Sequence, residues 1–167
     1  MRYSKHIGIF TIVVSVLLTS CGSAKETLIH HPESSPKVVA VEFSTIVKGE
    51  LNGAGEEGLA QSMIIIRNQE EWEALKGKMN TVNNETDAFE TSEMVDFNKE
   101  IMIACFDKVR TTGGYNLFVD EVTESIDTVN VIVQLAIPVD MATSVMTQPY
   151  VIIKLRKTNK TIAETRW

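Results

Sequence analysis

From residue 38 onward, short apolar and β-branched stretches alternate with polar or glycine-containing turns. Most stretches alternate apolar with polar positions, the period of a strand with one buried face, whereas 101–106 is continuously apolar, as in a strand covered on both faces. The pattern predicts strands at 38–51, 59–67, 101–106, 115–122, 129–137, 150–156 and 161–167.

One helix is predicted, at 68–79, with the sequence NQEEWEALKGKM. Asn68 is in the N-cap position and Glu71 follows three residues later, which is a capping-box arrangement. Trp72, Leu75 and Met79 fall on one face at helical spacing, so we expect that face to pack on the core.

The order of these elements predicts a mainly β (α+β) fold, an antiparallel sheet folded into a sandwich or a half-barrel, with one short helix. The glycine-rich turn at 52–58 is expected to join the first two strands as a hairpin. In a meander, the strands that begin at Tyr115 and Tyr150 would run the same way on either side of strand 129–137. Their first residues would then share one end of the sheet, about 10 Å apart.

Length and composition predict a single domain, 38–167, because 167 residues with 44% hydrophobic content can bury one core. Residues 1–20 have Arg2 and Lys5 at their start and then an apolar run at 7–18. That run is too short to span a bilayer, and the arrangement is typical of a secretory signal peptide.

The four residues that end in Cys21 read LTSC and resemble the lipobox of bacterial lipoproteins. The resemblance implies cleavage before Cys21 and acylation of this residue, which predicts an extracytoplasmic, lipid-anchored protein of the bacterial cell envelope, on the outer membrane in a Gram-negative cell. The alternative is an ordinary signal peptide or a small membrane anchor. Residues 21–37 contain Pro32 and Pro36 and predict a flexible tether.

Loss of the signal would change the formal charge from −6 to −8. Nucleic acid is therefore not an expected partner, because its phosphates require clustered Lys and Arg. The acidic balance gives no electrostatic attraction to anionic lipids, so the predicted partner membrane would be bound through the acyl chains.

The predicted domain has few of the residue types that catalyse reactions in enzymes. His6, His30 and His31 all lie in the predicted signal or tether, and Cys105 lies within the apolar run IMIACFD and is expected to be a buried, unreactive thiol. No zinc motif, calcium-loop spacing or phosphate-binding loop is recognised, so no cofactor and no metal ion are predicted. The open alternative is an acidic cleft formed by carboxylates, with these candidates: Asp96, Asp107, Asp120 and Glu121.

The stretch CFDKVRTTGGYNLFVDEV, followed by VNVIVQLAIPVDMATSVMTQPYVIIKL, resembles the C-terminal domain of the PrcB protease complex subunit family over about residues 97–155. Asp107 and Arg156 depart from residues that are frequent in that family. The resemblance implies an extracytoplasmic lipoprotein without catalytic residues, from a family named for association with a surface protease complex. The matching motif residues are Thr112, Gly113, Gly114 and Tyr115 in the first segment, and Thr147, Pro149 and Tyr150 in the second.

Two interpretations of the TTGGY segment remain open. Two glycines before a strand permit positive φ and close backbone approach, which a structural corner needs. Alternatively, two tyrosine-bearing corners at one end of the sheet form a binding site, with candidate residues Gly113, Gly114, Tyr115, Thr147, Pro149 and Tyr150. The predicted function is a non-enzymatic binding or assembly module with an envelope protease or another envelope protein as partner. The alternative is a lipoprotein that binds a glycan or small ligand.

Overall fold

The computed structural model describes residues 37–82, 95–139 and 143–166. The predicted signal peptide, Cys21 and the tether as far as residue 36 lie outside this range. The described residues form eight strands and one helix: β1 Val39–Ala40, β2 Phe43–Leu51, β3 Ser62–Ile66, α1 Gln69–Met79, β4 Glu100–Phe106, β5 Asn116–Glu124, β6 Thr128–Ala136, β7 Gln148–Arg156 and β8 Thr161–Arg166.

The strands form two four-stranded sheets. One has the order β1-β5-β6-β8 and is called the β5 sheet; the other has the order β2-β7-β4-β3 and is called the β7 sheet. Neighbouring strands are antiparallel except β6 and β8, which are parallel. The mainly β, sandwich-like fold class predicted from the sequence is confirmed.

Strand β4 shows why its sequence is continuously apolar. Ile101, Ile103 and Cys105 belong to the core cluster shared with the β5 sheet. The intervening residues face the opposite way and pack with helix α1, in a second cluster that includes Phe106 and Trp72. Because successive side chains point to opposite faces, a strand covered on both sides must be apolar at every position.

Helix α1 begins as predicted. The Asn68 side chain accepts a hydrogen bond from Glu71 N–H at 2.9 Å, while the Glu71 carboxylate accepts one from Arg67 N–H at 2.7 Å. The first bond satisfies a donor that the first helical turn leaves free, and the second ties the residue before the N-cap to the same turn. The predicted apolar face is buried against the β7 sheet: Trp72, Leu75 and Met79.

The predicted strand pairings are wrong in two places. Strands β2 and β3 do not form a hairpin, because β2 pairs with β7 and β3 pairs with β4. The glycine-rich connection between them folds on itself, with Gly53 N–H donating to the Glu57 carboxylate at 2.9 Å. The meander is also wrong, because β5 and β7 lie in different sheets and do not flank β6.

Cys105 is buried, and desolvation, with a further contribution from the Glu164 carboxylate, raises the pKa of its thiol to about 12. Only the thiolate reacts readily with alkylating reagents. We therefore expect iodoacetamide at about pH 8 to leave Cys105 unmodified in the native protein and to modify it after unfolding in guanidinium. Peptide-resolved mass spectrometry checks this. Rapid modification of the native protein would contradict the core position.

Candidate functional site

Two chain segments meet at the end of the sandwich where β4 ends and β5 and β7 begin. Arg110 N–H donates to the Thr147 carbonyl at 2.7 Å, and Thr147 N–H donates to the Arg110 carbonyl at 3.1 Å. This isolated antiparallel bridge brings the TTGGY segment beside the MTQPY segment. The structure thus joins the two motifs, although the strands that follow them lie in different sheets.

Glu50, the penultimate residue of β2, holds this corner together. Its Oε1 atom accepts hydrogen bonds from Tyr115 N–H at 2.9 Å and from the Thr147 hydroxyl at 3.2 Å. Its Oε2 atom accepts one from Gly114 N–H at 3.2 Å. Hydrogen bonds to an ionised acceptor are the stronger kind, so one carboxylate fixes both motifs. Sequence reasoning missed Glu50.

Glycine is needed at positions 113 and 114 for different structural reasons. Gly113 is buried, its N–H donates to the Thr143 carbonyl at 3.1 Å, and a methyl group added there would lie 2.5 Å from the Thr143 hydroxyl. Gly114 has φ of +89°, and a methyl group added there would lie 3.2 Å from the Pro138 side chain. Both glycines therefore allow the β6–β7 connection to lie directly on the corner.

The two tyrosines of the candidate site lie in different surroundings. Tyr150 is 1% exposed, and its ring stacks with Phe106 at a centroid distance of 6.1 Å. Tyr115 is half-buried, with its ring 4.9 Å from the Arg110 guanidinium carbon. Of the six candidates, Gly114 and Tyr115 reach the surface, and the others are buried: Gly113, Thr147, Pro149 and Tyr150. Their binding role stays a prediction.

The most exposed apolar side chains at this end belong to the β6–β7 connection. Val139 is 95% exposed and Ile137 is 69% exposed, and two further apolar residues on the other side of the connection are also exposed. We call the described part of this connection, residues 137–139 and 143–146, the apolar loop. The hydrogen bond from Gly113 N–H to the Thr143 carbonyl ties it to the corner. Its exposed apolar side chains are Ile137, Val139, Val145 and Met146.

Residues 101–156 match the PrcB C-terminal family model. The match covers 56 of the 167 residues, runs from β4 to the end of β7 and includes both corner motifs. The predicted resemblance to the PrcB family is confirmed. No curated protein and no solved structure matches the chain. The apolar loop lies within the PrcB C-terminal match, whereas Glu50 and helix α1 lie outside it.

Asp107, where the sequence departs from the frequent PrcB residues, stabilises the corner through ion pairs with arginines. It is almost fully buried, and its carboxylate accepts a hydrogen bond from Arg110 Nε at 2.6 Å. Arg166 approaches the same carboxylate at 3.9 Å and donates to the Phe106 carbonyl at 2.8 Å. A buried carboxylate requires such partners because an isolated charge is costly to desolvate. Arg110 in turn supports the ring of Tyr115.

Three of the four candidate carboxylates have separate partners and do not share an acidic cleft. Asp107 pairs with arginines at the corner, Asp96 pairs with Lys99 at the other end of β4 at 3.1 Å, and Asp120 accepts a hydrogen bond from Gln134 at 2.9 Å. Within the described ranges, no group of His, Cys, Asp and Glu is arranged to bind a metal ion. In the same part of the chain, no helix has both the length and the apolar character needed to cross a membrane.

Proposed function

We propose that this chain is a lipid-anchored, non-enzymatic binding module of the bacterial cell envelope and an accessory subunit of a surface protease complex. The match of 101–156 to the PrcB C-terminal family model supports the association with a protease complex. The lipobox-like LTSC segment supports the anchor at Cys21. The observation that carries the binding role is the apolar loop, which exposes four large hydrophobic side chains on a hydrogen-bonded platform.

The apolar loop has the composition of a protein contact. Protein interfaces bury apolar, aromatic and arginine side chains at the centre and have a polar rim. Here the half-buried Tyr115 and the Arg110 guanidinium lie on the corner beside the exposed apolar residues. Such a set of side chains exposed to water is unfavourable unless a partner covers it. Because Gly113 N–H bonds the Thr143 carbonyl of the loop, less ordering entropy is lost on binding.

The second candidate function is recognition of a glycan or small ligand at the same corner. The partly exposed Tyr115 ring favours it, since sugar faces stack on aromatic rings. Two features weigh against it: the Tyr150 ring is buried, and the amides of Gly114 and Tyr115 already donate to Glu50. The anion-binding capacity of the TTGGY backbone is therefore used within the chain, and protein binding is the stronger proposal.

The Val139→Asp/Met146→Asp double variant should lose its protein partner. A charge at each position cannot be desolvated in an apolar contact, so we expect at least about a tenfold reduction in the protease recovered from detergent-solubilised envelopes. The measurement is affinity capture with quantitative mass spectrometry. Both side chains are exposed, so the melting temperature should change little.

Val82→Asp is the matched control, because Val82 is a 47% exposed apolar residue that follows helix α1 and lies outside the apolar loop. It should capture the protease like the wild type. Undiminished capture by the double variant, or an equal loss in the control, would contradict binding through the apolar loop. Retention on a glycan array that Tyr115→Ala abolishes would instead support the second candidate.

A further inference from the structure

The end of the sandwich opposite the corner has an open groove of about 1410 Å³ between the two sheets. The β1–β2 segment borders it on one side, and the turns after β5 and before β4 border it on the other. A smaller groove beside it shares Lys160. We call this end the basal surface and define it by six residues: Lys37, Val38, Val39, Lys99, Ile126 and Lys157.

The basal surface combines exposed apolar residues with cationic ones. Ile126 is 73% exposed, and Val38 and Val39 are exposed beside it at the start of the described chain. Six cationic and five anionic side chains line the two grooves, so this end is close to neutral in a chain with a formal charge of −6. Electrostatic repulsion from an anionic surface is therefore weakest at this end.

Ion pairs compensate three of the five acids that line the grooves, including Asp96, which pairs with Lys99 at 3.1 Å. Glu124 pairs with Arg156 and, at 2.5 Å, with Lys160, and Glu100 pairs with Lys154 at 3.0 Å. The hydrogen bond from Lys160 is the largest of the effects that lower the pKa of Glu124, so the charge of Glu124 persists at neutral pH. Lys157, by contrast, donates to the neutral carbonyl of Phe97 at 2.8 Å and forms no ion pair with a carboxylate of the described residues.

We propose that the basal surface docks on the headgroup layer of the membrane that holds the acyl chains of Cys21. This inference rests on the lipid anchor of the proposed function. Lys37 lines the groove, and only residues 22–36 separate it from Cys21. Even a fully extended chain limits this separation to roughly 55 Å. Apolar side chains interspersed with Lys are the chemistry that the interface between headgroups and acyl chains accommodates.

Docking on the membrane sets the direction in which the module faces. The long strands of the sandwich separate the basal surface from the corner by about 30 Å. A docked domain would therefore present the apolar loop away from the bilayer, where a partner can reach it. The contact needs little intrinsic affinity, because the anchor makes it intramolecular and gives it a high effective concentration.

Site-specific fluorescence quenching tests the orientation. Single-cysteine probes at Ile126→Cys and Val139→Cys are labelled with bimane in the full-length lipoprotein, where Cys105 is buried and Cys21 is acylated. The lipoprotein is placed in vesicles of phosphatidylethanolamine and phosphatidylglycerol with headgroup nitroxides. We expect at least about twofold stronger quenching at Ile126→Cys than at Val139→Cys. Equal quenching at the two positions, or stronger quenching at Val139→Cys, would overturn the docking.

A flotation assay separates failure of the anchor from failure of the docking. Wild-type protein should float with the vesicles and Cys21→Ser should not. If the wild type fails to float, the anchor is wrong and the docking that rests on it falls with it. If the wild type floats but the two probes are quenched equally, the docking alone is overturned.

The Val38→Asp/Lys157→Glu double variant tests the assigned surface. It should still float, and quenching at Ile126→Cys should fall to the level of Val139→Cys. Unchanged quenching at Ile126→Cys in this variant contradicts the assigned surface.

Discussion

Replacement of Glu50 by alanine should lower the free energy of unfolding by about 3 kcal/mol, because the corner would lose all three hydrogen bonds to its carboxylate. The buried Thr147 hydroxyl keeps a second acceptor, the Thr112 carbonyl at 3.2 Å, so most of the loss comes from the two backbone amides. The midpoint of thermal unfolding should fall by roughly 10 °C. Chemical denaturation followed by circular dichroism measures the change.

Glu50→Gln and Glu56→Ala are the graded controls. Glutamine retains one acceptor oxygen but presents an amide donor to the corner, so we expect an intermediate loss of stability. Glu56 is an exposed residue of the nearby glycine-rich connection, and its replacement should change stability by no more than about 0.5 kcal/mol. A loss below about 1 kcal/mol in Glu50→Ala would show that the carboxylate does not hold the corner.

Local patterns predicted the elements of this fold, because alternation and continuous apolar runs report directly on whether one or both faces of a strand are covered. Strand β4 is the clearest case, with alternate residues in two separate core clusters. The partner of each strand was not predictable in this way. β2 and β3 are expected to form a hairpin with a long glycine-rich loop because they are consecutive in the chain, yet each pairs with a strand far along the chain. Local periodicity carries no information about such long-range pairing.

The candidate site was predictable only in part, for the same reason. A polar residue near the end of an alternating strand has the same pattern whether it faces water or a distant motif, and Glu50 lies 64 residues from Gly114. The burial of Tyr150, in contrast, had an available signal. Tyr150 begins the run YVII, which is as continuously apolar as β4, and a strand of that kind is covered on both faces. Its ring was therefore more consistent with the core than with a binding surface.

The PrcB C-terminal match does not coincide with a self-sufficient structural unit. Strands β4 and β7 are flanked by β3 and β2, which lie outside residues 101–156, and helix α1 covers their outer face. The corner itself depends on Glu50 from β2. The geometry of the TTGGY segment in this chain is therefore set partly by residues that the family match does not include.

Tyr150→Ala should lower the free energy of unfolding by about 3 to 5 kcal/mol, the range for removal of a large buried aromatic side chain. The ring is 1% exposed and packs on Phe106 and on Gly49, so its loss leaves a cavity between the β7 sheet and helix α1. Tyr115→Ala should cost only about 1 kcal/mol, because it removes a half-buried ring and one cation–π contact with Arg110. Denaturant titration of both variants gives the comparison.

Conservative variants separate the packing role of each tyrosine from a role of its hydroxyl. Tyr150→Phe keeps the ring and should cost no more than about 1 kcal/mol, and it should capture the protease like the wild type because a buried hydroxyl cannot contact a partner. Tyr115→Ala should remain folded but capture less of the protease, since its half-buried ring belongs to the corner to which the apolar loop is hydrogen-bonded. Equal destabilisation by the two alanine variants would contradict the burial of Tyr150. Loss of capture in Tyr150→Phe at unchanged stability would show that the Tyr150 hydroxyl takes part in binding.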